Sequence, residues 1–217
     1  MEYVYAPGCA LVLYKPHLAE KLKLYIEEEY GAMETLLTCC FKQQELKSGT
    51  CVVTPCSTCD KRYRSLYKDC STVYFLEILA QSDSFPFPDY GGMEMSIQDT
   101  CSGRTDEKYL NTIRTLLKRM NIRLVEAERS GKRGKCCGQV FYGKLAVEQV
   151  EEKMRERAEE MPREDVVVYC ASCIQSMRIG GKRPRFILDL LFGESTEIEK
   201  PDIVSWNKRL LEFRAKY

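Results

Sequence analysis

The chain contains a single histidine, a single tryptophan and no apolar run approaching the roughly 18 residues needed to cross a bilayer. One histidine leaves little room for imidazole acid–base catalysis or for histidine-rich zinc sites. His17, at the start of an expected helix, reads as a surface residue. Direct membrane insertion has no support. A charge excess is also missing: 33 Lys and Arg face 32 Asp and Glu, interspersed, so nothing points to nucleic acid. Neither a Walker A motif nor a Rossmann dinucleotide fingerprint occurs, which assigns any nucleotide or flavin to another subunit. The opening residues MEYVYAPGCA lack the basic and apolar regions of a signal peptide. A reducing cytoplasm is the expected setting.

What the chain does have is cysteine, twelve in 217 residues. Ten fall into two sets of five, each ordered as a single cysteine, an adjacent pair and a C-x-x-C. The first set is Cys9, Cys39, Cys40, Cys56 and Cys59; the second is Cys101, Cys136, Cys137, Cys170 and Cys173. A secreted disulfide scaffold would also be cysteine-rich. A chain of this length with extensive helix patterning does not need such staples, however, and C-x-x-C beside adjacent cysteines suits ligation better than crosslinking. Thiolates are soft ligands for zinc and for iron–sulfur clusters.

Short β-type runs occur at Tyr3–Ala6, Glu34–Thr38, Cys51–Thr54, Met95–Gln98, Arg123–Glu126 and Val166–Tyr169. Helical patterns lie between many of them, over 16–30, 106–120 and 145–161, with another at 203–215. Their apolar stripes, such as Tyr109, Ile113, Leu116, Leu117 and Met120, read as core. Strands alternating with helices imply parallel βαβ units. Phe85-Pro86-Phe87-Pro88 followed by Gly91-Gly92 breaks the pattern between the two cysteine sets. The expected fold is α/β, with two related Rossmann-like halves, 1–90 and 91–217, the second ending in a C-terminal helix.

Most of the cysteines follow a β-run. In an open parallel sheet the loops after strand C-termini gather on one edge, where ligands bind, so residues distant in sequence can converge there. Cys136 and Cys137 are set apart from their nearest strand by the polar loop Arg129–Lys135. That loop reads as mobile and solvated, with docking of an acidic redox partner or anionic substrate near Cys136 as the other use. Gly138 permits a tight turn or a close backbone approach beside an inorganic core, and free N–H groups of a helix beginning after the pair would stabilise thiolates. Arg104, Lys135 and Lys144 are nearby cations that read singly as surface. Four thiolates suffice for zinc or a cubane cluster; a fifth leaves room for a bystander, a redox partner or a bridging ligand.

The run Cys101-x34-Cys136-Cys137-Gly138-x31-Cys170-x2-Cys173 resembles the cysteine-rich CCG domain. That domain occurs in tandem in the cysteine-rich subunit of heterodisulfide reductase and in iron–sulfur subunits linked to lactate and glycolate oxidation. Tyr5–Cys9 (YAPGC) and Val53–Cys59 (VTPCSTC) extend the resemblance to the first half. It implies that Cys101, Cys136, Cys137, Cys170 and Cys173 ligate one 4Fe–4S cluster, of the noncubane form in the heterodisulfide reductase branch. Cys9, Cys39, Cys40, Cys56 and Cys59 would ligate another. The implied activity is disulfide reduction or electron relay as the cysteine-rich subunit of an oxidoreductase. The implied partners are a ferredoxin-like iron–sulfur subunit, a flavoprotein or both, with a disulfide as substrate. A zinc-stabilised structural or interaction module is the alternative of another class.

The first half departs from this pattern. Phe41 stands where the second half has Gly138, and 15 residues separate Cys40 from Cys56 against 32 between Cys137 and Cys170. About one crossover helix is missing. Cys51 and Cys70 fall outside both sets and read as small buried hydrophobes.

Overall fold

The structure, a computed structural model, describes residues 2–37, 42, 45–198 and 200–217. Cys39, Cys40 and Phe41 lie outside the described residues. Among those described, two four-stranded, all-parallel sheets organise the chain. The compact units are Met1–Ile78 with Asn207–Tyr217, and Leu79–Trp206.

The first unit runs β1 (Tyr3–Tyr5), α1 (Cys9–Tyr14), α2 (Pro16–Tyr30), β2 (Glu34–Thr35), β3 (Cys51–Thr54), α3 (Ser57–Leu66), β4 (Ser71–Tyr74) and the start of α4 (Phe75–Gln81), whose last three residues belong to the second. Its strand order is β2-β1-β3-β4. Every residue of the Cys-Val-Val-Thr run in β3 is buried, as expected of an inner parallel strand covered on both faces. Pro16 starts α2, where its missing N–H costs nothing, and Leu18, Leu22 and Ile26 line the buried face of that helix.

In the second unit β5 (Glu94–Gln98) is followed by α5 (Glu107–Arg119), β6 (Arg123–Leu124), α6 (Val147–Glu159), β7 (Asp165–Val168), α7 (Ala171–Ile179), β8 (Arg183–Phe186) and α8 (Ile187–Leu191). The last helix is α9 (Ile203–Lys216). The strand order, β6-β5-β7-β8, repeats that of the first sheet. Val166, Val167 and Val168 of β7 are fully buried, and so are the expected α5 stripe residues Tyr109, Ile113, Leu116, Leu117 and Met120. Asp106 caps α5 by accepting a hydrogen bond from the Lys108 N–H.

The boundary between compact units falls at Ile78/Leu79, and the Pro- and Gly-rich stretch near residue 90 belongs inside the second unit. Phe85 there packs edge-on against Phe87 and Phe192, and the Tyr90 hydroxyl donates to the Leu190 carbonyl at 2.8 Å. Residues 207–217 of the C-terminal helix group with the first unit. The edge strands β4 and β8 and the short helices α1, α3, α4, α7 and α8 go beyond the sequence expectations. Pro184 argues against a strand, but β8 lies at an edge, where a missing ladder donor is tolerated. Besides the C-terminal α9, two helices lack a counterpart among the described residues: α1 precedes α2 in the first unit, and α6 lies between β6 and β7 in the second, whereas residues 36–50 hold no helix among those described. No helix among the described residues is long and apolar enough to cross a membrane.

Candidate metal centre

Each sheet starts with an inner strand, steps out to one edge strand, then crosses to the other side. That reversal opens a crevice beyond the C-terminal ends of β1 and β3, and of β5 and β7, the place where open α/β sheets bind ligands. Cysteines occupy both crevices. Cys101 lies just past β5 and Cys170 just past β7; Cys9 lies just past β1 and Cys56 just past β3. In both C-x-x-C motifs the first cysteine is the N-cap of a helix and the second sits buried in its first turn: Cys56 and Cys59 on α3, Cys170 and Cys173 on α7. Free N–H groups at these helix starts favour negative charge on sulfur.

Cys136 and Cys137 are placed by a turn that depends on Gly138. Its φ is +103°, and a Cβ there would fall 2.6 Å from Met154 Cγ and 3.1 Å from the Met154 backbone nitrogen on α6. The close approach expected at this glycine is therefore made by a helix of the same unit. In place of the expected helix, a single 3-10 turn (Gln139–Phe141) follows Gly138. The backbone N–H groups of Gly138 and Val140 point at Cys136 sulfur.

The five thiols of the second set lie near enough to influence one another in series: Cys101 with Cys136, Cys136 with Cys137, Cys137 with Cys173, and Cys173 with Cys170. The Cys173 thiol donates to Cys137 sulfur at 3.3 Å. Hydrogen bonds from Cys101 and Cys137, reinforced by the Val140 and Gly138 N–H groups, hold the Cys136 thiol far below its ordinary range. Donation to Cys136, together with burial, pushes Cys101 up. Cys137 is likewise pushed up, to about 12, chiefly by its bond to Cys136, and Cys173 rises through its bonds to Cys137 and Cys170. One thiolate is thus favoured, and further ionisation is opposed by its neighbours. A bound cation removes that opposition, because a coordinating thiol is deprotonated outright. Among the described residues no three His, Cys, Asp or Glu side chains are arranged around a single metal ion. Five soft donors in series outnumber the four of tetrahedral zinc and fit a multi-iron sulfide core.

Residues 95–178 match the family model of the cysteine-rich domain, CCG. This segment of the second half is similar to the CCG domain. The matched segment contains all five cysteines of the second set and none of the first. No curated protein matches the chain. The CCG domain is typical of iron–sulfur subunits of the heterodisulfide-reductase kind.

In the first half, Cys9 and Cys56 pack against the core cluster that contains Cys59, Val4, Val52 and Tyr63. A Cβ on Gly8, whose φ is +84°, would lie 3.4 Å from Cys59 sulfur and 3.5 Å from Cys56 Cβ. The three cysteines therefore gather at one corner. Cys56 is lowered to about 7 by a hydrogen bond from Cys59, helped by the N–H groups of Cys59 and Thr58. Cys39 and Cys40 would complete this set, but they lie outside the described residues.

The loop before Cys136 has solvated side chains but an anchored backbone. Arg157, buried on α6, donates to Gln98 Oε1 at 2.7 Å and to the Arg129 carbonyl at 3.1 Å. Gln98 in turn donates to the Lys135 carbonyl at 2.9 Å, and Arg104 to the Gly134 carbonyl. Gln98 and Arg157 were invisible as site residues in the sequence, since one looks like a strand end and the other like the charged face of a helix. A cavity of about 430 Å³ opens beside Cys136, with Arg104, Lys135, Lys153 and Arg157 set against Glu156 and Glu160. Lys135 pairs with Glu160, and Lys144 is exposed. His17 is exposed in the first turn of α2, as expected. Cys51 is buried in β3, but Cys70 is half-exposed on a turn, its sulfur 3.6 Å from the Lys47 carbonyl.

Proposed function

We propose that the chain is an iron–sulfur redox protein, the cysteine-rich subunit of a heterodisulfide-reductase-like oxidoreductase. The observation that carries this reading is the series of five interacting thiols in the CCG-like segment, with Cys137 and Cys173 in direct contact. Cys101, Cys136, Cys137, Cys170 and Cys173 would hold the cluster; Cys9, Cys56 and Cys59, with Cys39 and Cys40, are the candidates for a second. A bound 4Fe–4S cluster supplies one-electron transfer. The chain's own groups prepare the place for it. Burial of Cys137 and Cys173 keeps water from that side, the Gly138 and Val140 N–H groups stabilise charge on Cys136, and Arg104 favours charge on Cys101.

Of the two jobs open to such a subunit, electron relay is the one favoured, because it needs a single complete site. Disulfide cleavage by paired clusters would also draw on the first set. The cavity beside Cys136 offers access to either a disulfide or a docking partner. A ferredoxin-like iron–sulfur subunit, a flavoprotein or both would exchange electrons with the chain, in a reducing cytoplasm.

Iron, acid-labile sulfide and zinc are to be measured on strictly anaerobic preparations. About four irons and four sulfides per occupied set support the proposal. Stoichiometric zinc without labile sulfide overturns it in favour of a structural or interaction module.

A further inference from the structure

Three backbone segments bring the five thiols of the second set together: the turn after β5 with Cys101, the loop ending in Cys136 and Cys137, and the corner between β7 and α7 with Cys170 and Cys173. Segments so distant in sequence keep a constant sulfur spacing only if something ties them to each other. One carboxylate does. Asp99 is fully buried and lies two residues before Cys101. Its Oδ1 accepts a hydrogen bond at 3.0 Å from the hydroxyl of Tyr169, the residue before Cys170. Its Oδ2 accepts one at 2.7 Å from the Gly131 N–H, which opens the 3-10 turn Gly131–Arg133 leading to Cys136. A Cβ on Gly134 would lie 3.6 Å from Asp99 Cβ, so the same loop also packs on this residue. Arg114 of α5 donates to both carboxylate oxygens, at 3.2 and 3.0 Å, and supplies the countercharge that a buried carboxylate requires.

We propose that Asp99 is the positioning residue of the five-thiol site. It sets the spacing of the Cys101, Cys136–Cys137 and Cys170–Cys173 segments through its bonds to Gly131 and Tyr169. The inference rests on reading the five thiols as a metal-binding set. It differs from a purely structural role, in which the Asp99–Arg114 ion pair would matter only for folding. Residues that orient ligands without touching the metal typically change its affinity by about 10-fold or more when replaced.

Three variants of the full chain, purified anaerobically, separate the two roles: Tyr169→Phe, Asp99→Asn and Arg114→Gln. Metal content, the electron paramagnetic resonance spectrum and the melting temperature are read on each. Tyr169→Phe cuts the bonds of the Cys170 corner to Asp99 and to Thr100, and it shifts the spectrum with little change in melting. Asp99→Asn shifts the spectrum further and weakens metal retention about 10-fold. Arg114→Gln lowers the melting temperature but leaves the spectrum of the folded protein as in the wild type. Wild-type spectra for both Tyr169→Phe and Asp99→Asn, with only melting affected, overturn the proposal. If Asp99→Asn does not fold, Tyr169→Phe decides against Thr100→Val: a shift no larger than that of Thr100→Val overturns the proposal, and a larger one supports it. Zinc in place of iron in the wild type overturns the iron–sulfur reading only; cobalt substitution then provides the spectrum on which Asp99 is judged. A wild-type chain that retains neither metal overturns both.

Discussion

The two halves use the same strand order and the same device, a C-x-x-C at the start of the helix that follows an inner strand, yet only the second matches the CCG family. The difference that bears on the cysteine pair is α6. That helix brings Met154 against Gly138, which shapes the turn after the cysteine pair, and it carries Arg157, which anchors the preceding loop through Gln98 and Arg129. The first half has no helix among its described residues between β2 and β3. A parallel sheet can thus keep its strand order while losing the element that braces one of three cysteine segments. Strand topology provides the crevice; the crossover helix determines how firmly the adjacent cysteines are held in it.

The largest expected effect breaks the second site outright. Cys137→Ala abolishes the iron and sulfide of the second set while circular dichroism stays close to wild type, since a buried cysteine shrinks by only one sulfur. Unchanged iron would refute the ligand assignment. Cys59→Ala is the matching test of the other half: the spectrum of the second-set cluster persists, and any loss of metal measures what the first set holds. Next come the two glycines. Gly138→Ala costs about 1–3 kcal/mol of stability in urea titrations, from strain at positive φ, and the overlap with α6 worsens it. Gly8→Ala meets only ordinary contacts, so strain alone costs about 1 kcal/mol, and equal losses for the two would show that α6 is not what distinguishes the halves. The smallest effect is one of pH. Hydrogen bonds from Arg114, with help from Ser130, hold the Glu126 carboxyl below its usual range. Its contribution is present above the ordinary glutamate value and is lost as pH falls through the lowered one. Glu126→Gln accordingly flattens the acid side of a melting-temperature profile slightly.

Much of this was readable in the sequence where the signal was local. The Val-rich run in β7 and the apolar stripe of α5 are periodic patterns that burial enforces residue by residue. The α2 and α6 regions were legible for the same reason. The edge strands β4 and β8 were not, because Ser71–Tyr74 is only partly buried and Pro184 interrupts the other. The helices opened by each C-x-x-C are short, and their polar first turns hide the apolar face. Asp99 and Gln98 were missed for a deeper reason. A buried polar residue announces nothing in sequence, since its partners, Tyr169, Gly131 and Lys135, are some 30 to 70 residues away.

Local patterns in the chain specify the soft donor set, its division into two ordered fives, the α/β alternation and the tight turn or close approach that glycine allows after the second pair. These follow from ligand chemistry, periodicity and backbone sterics, each a property of a few neighbouring residues. Long-range folding is what gathers five thiols separated by up to 72 positions into one interacting series at a sheet's switch point. It also decided that a helix, rather than an inorganic core, fills the space beside Gly138. Convergence of that kind depends on strand order and on long-range hydrogen bonds, which no local pattern encodes.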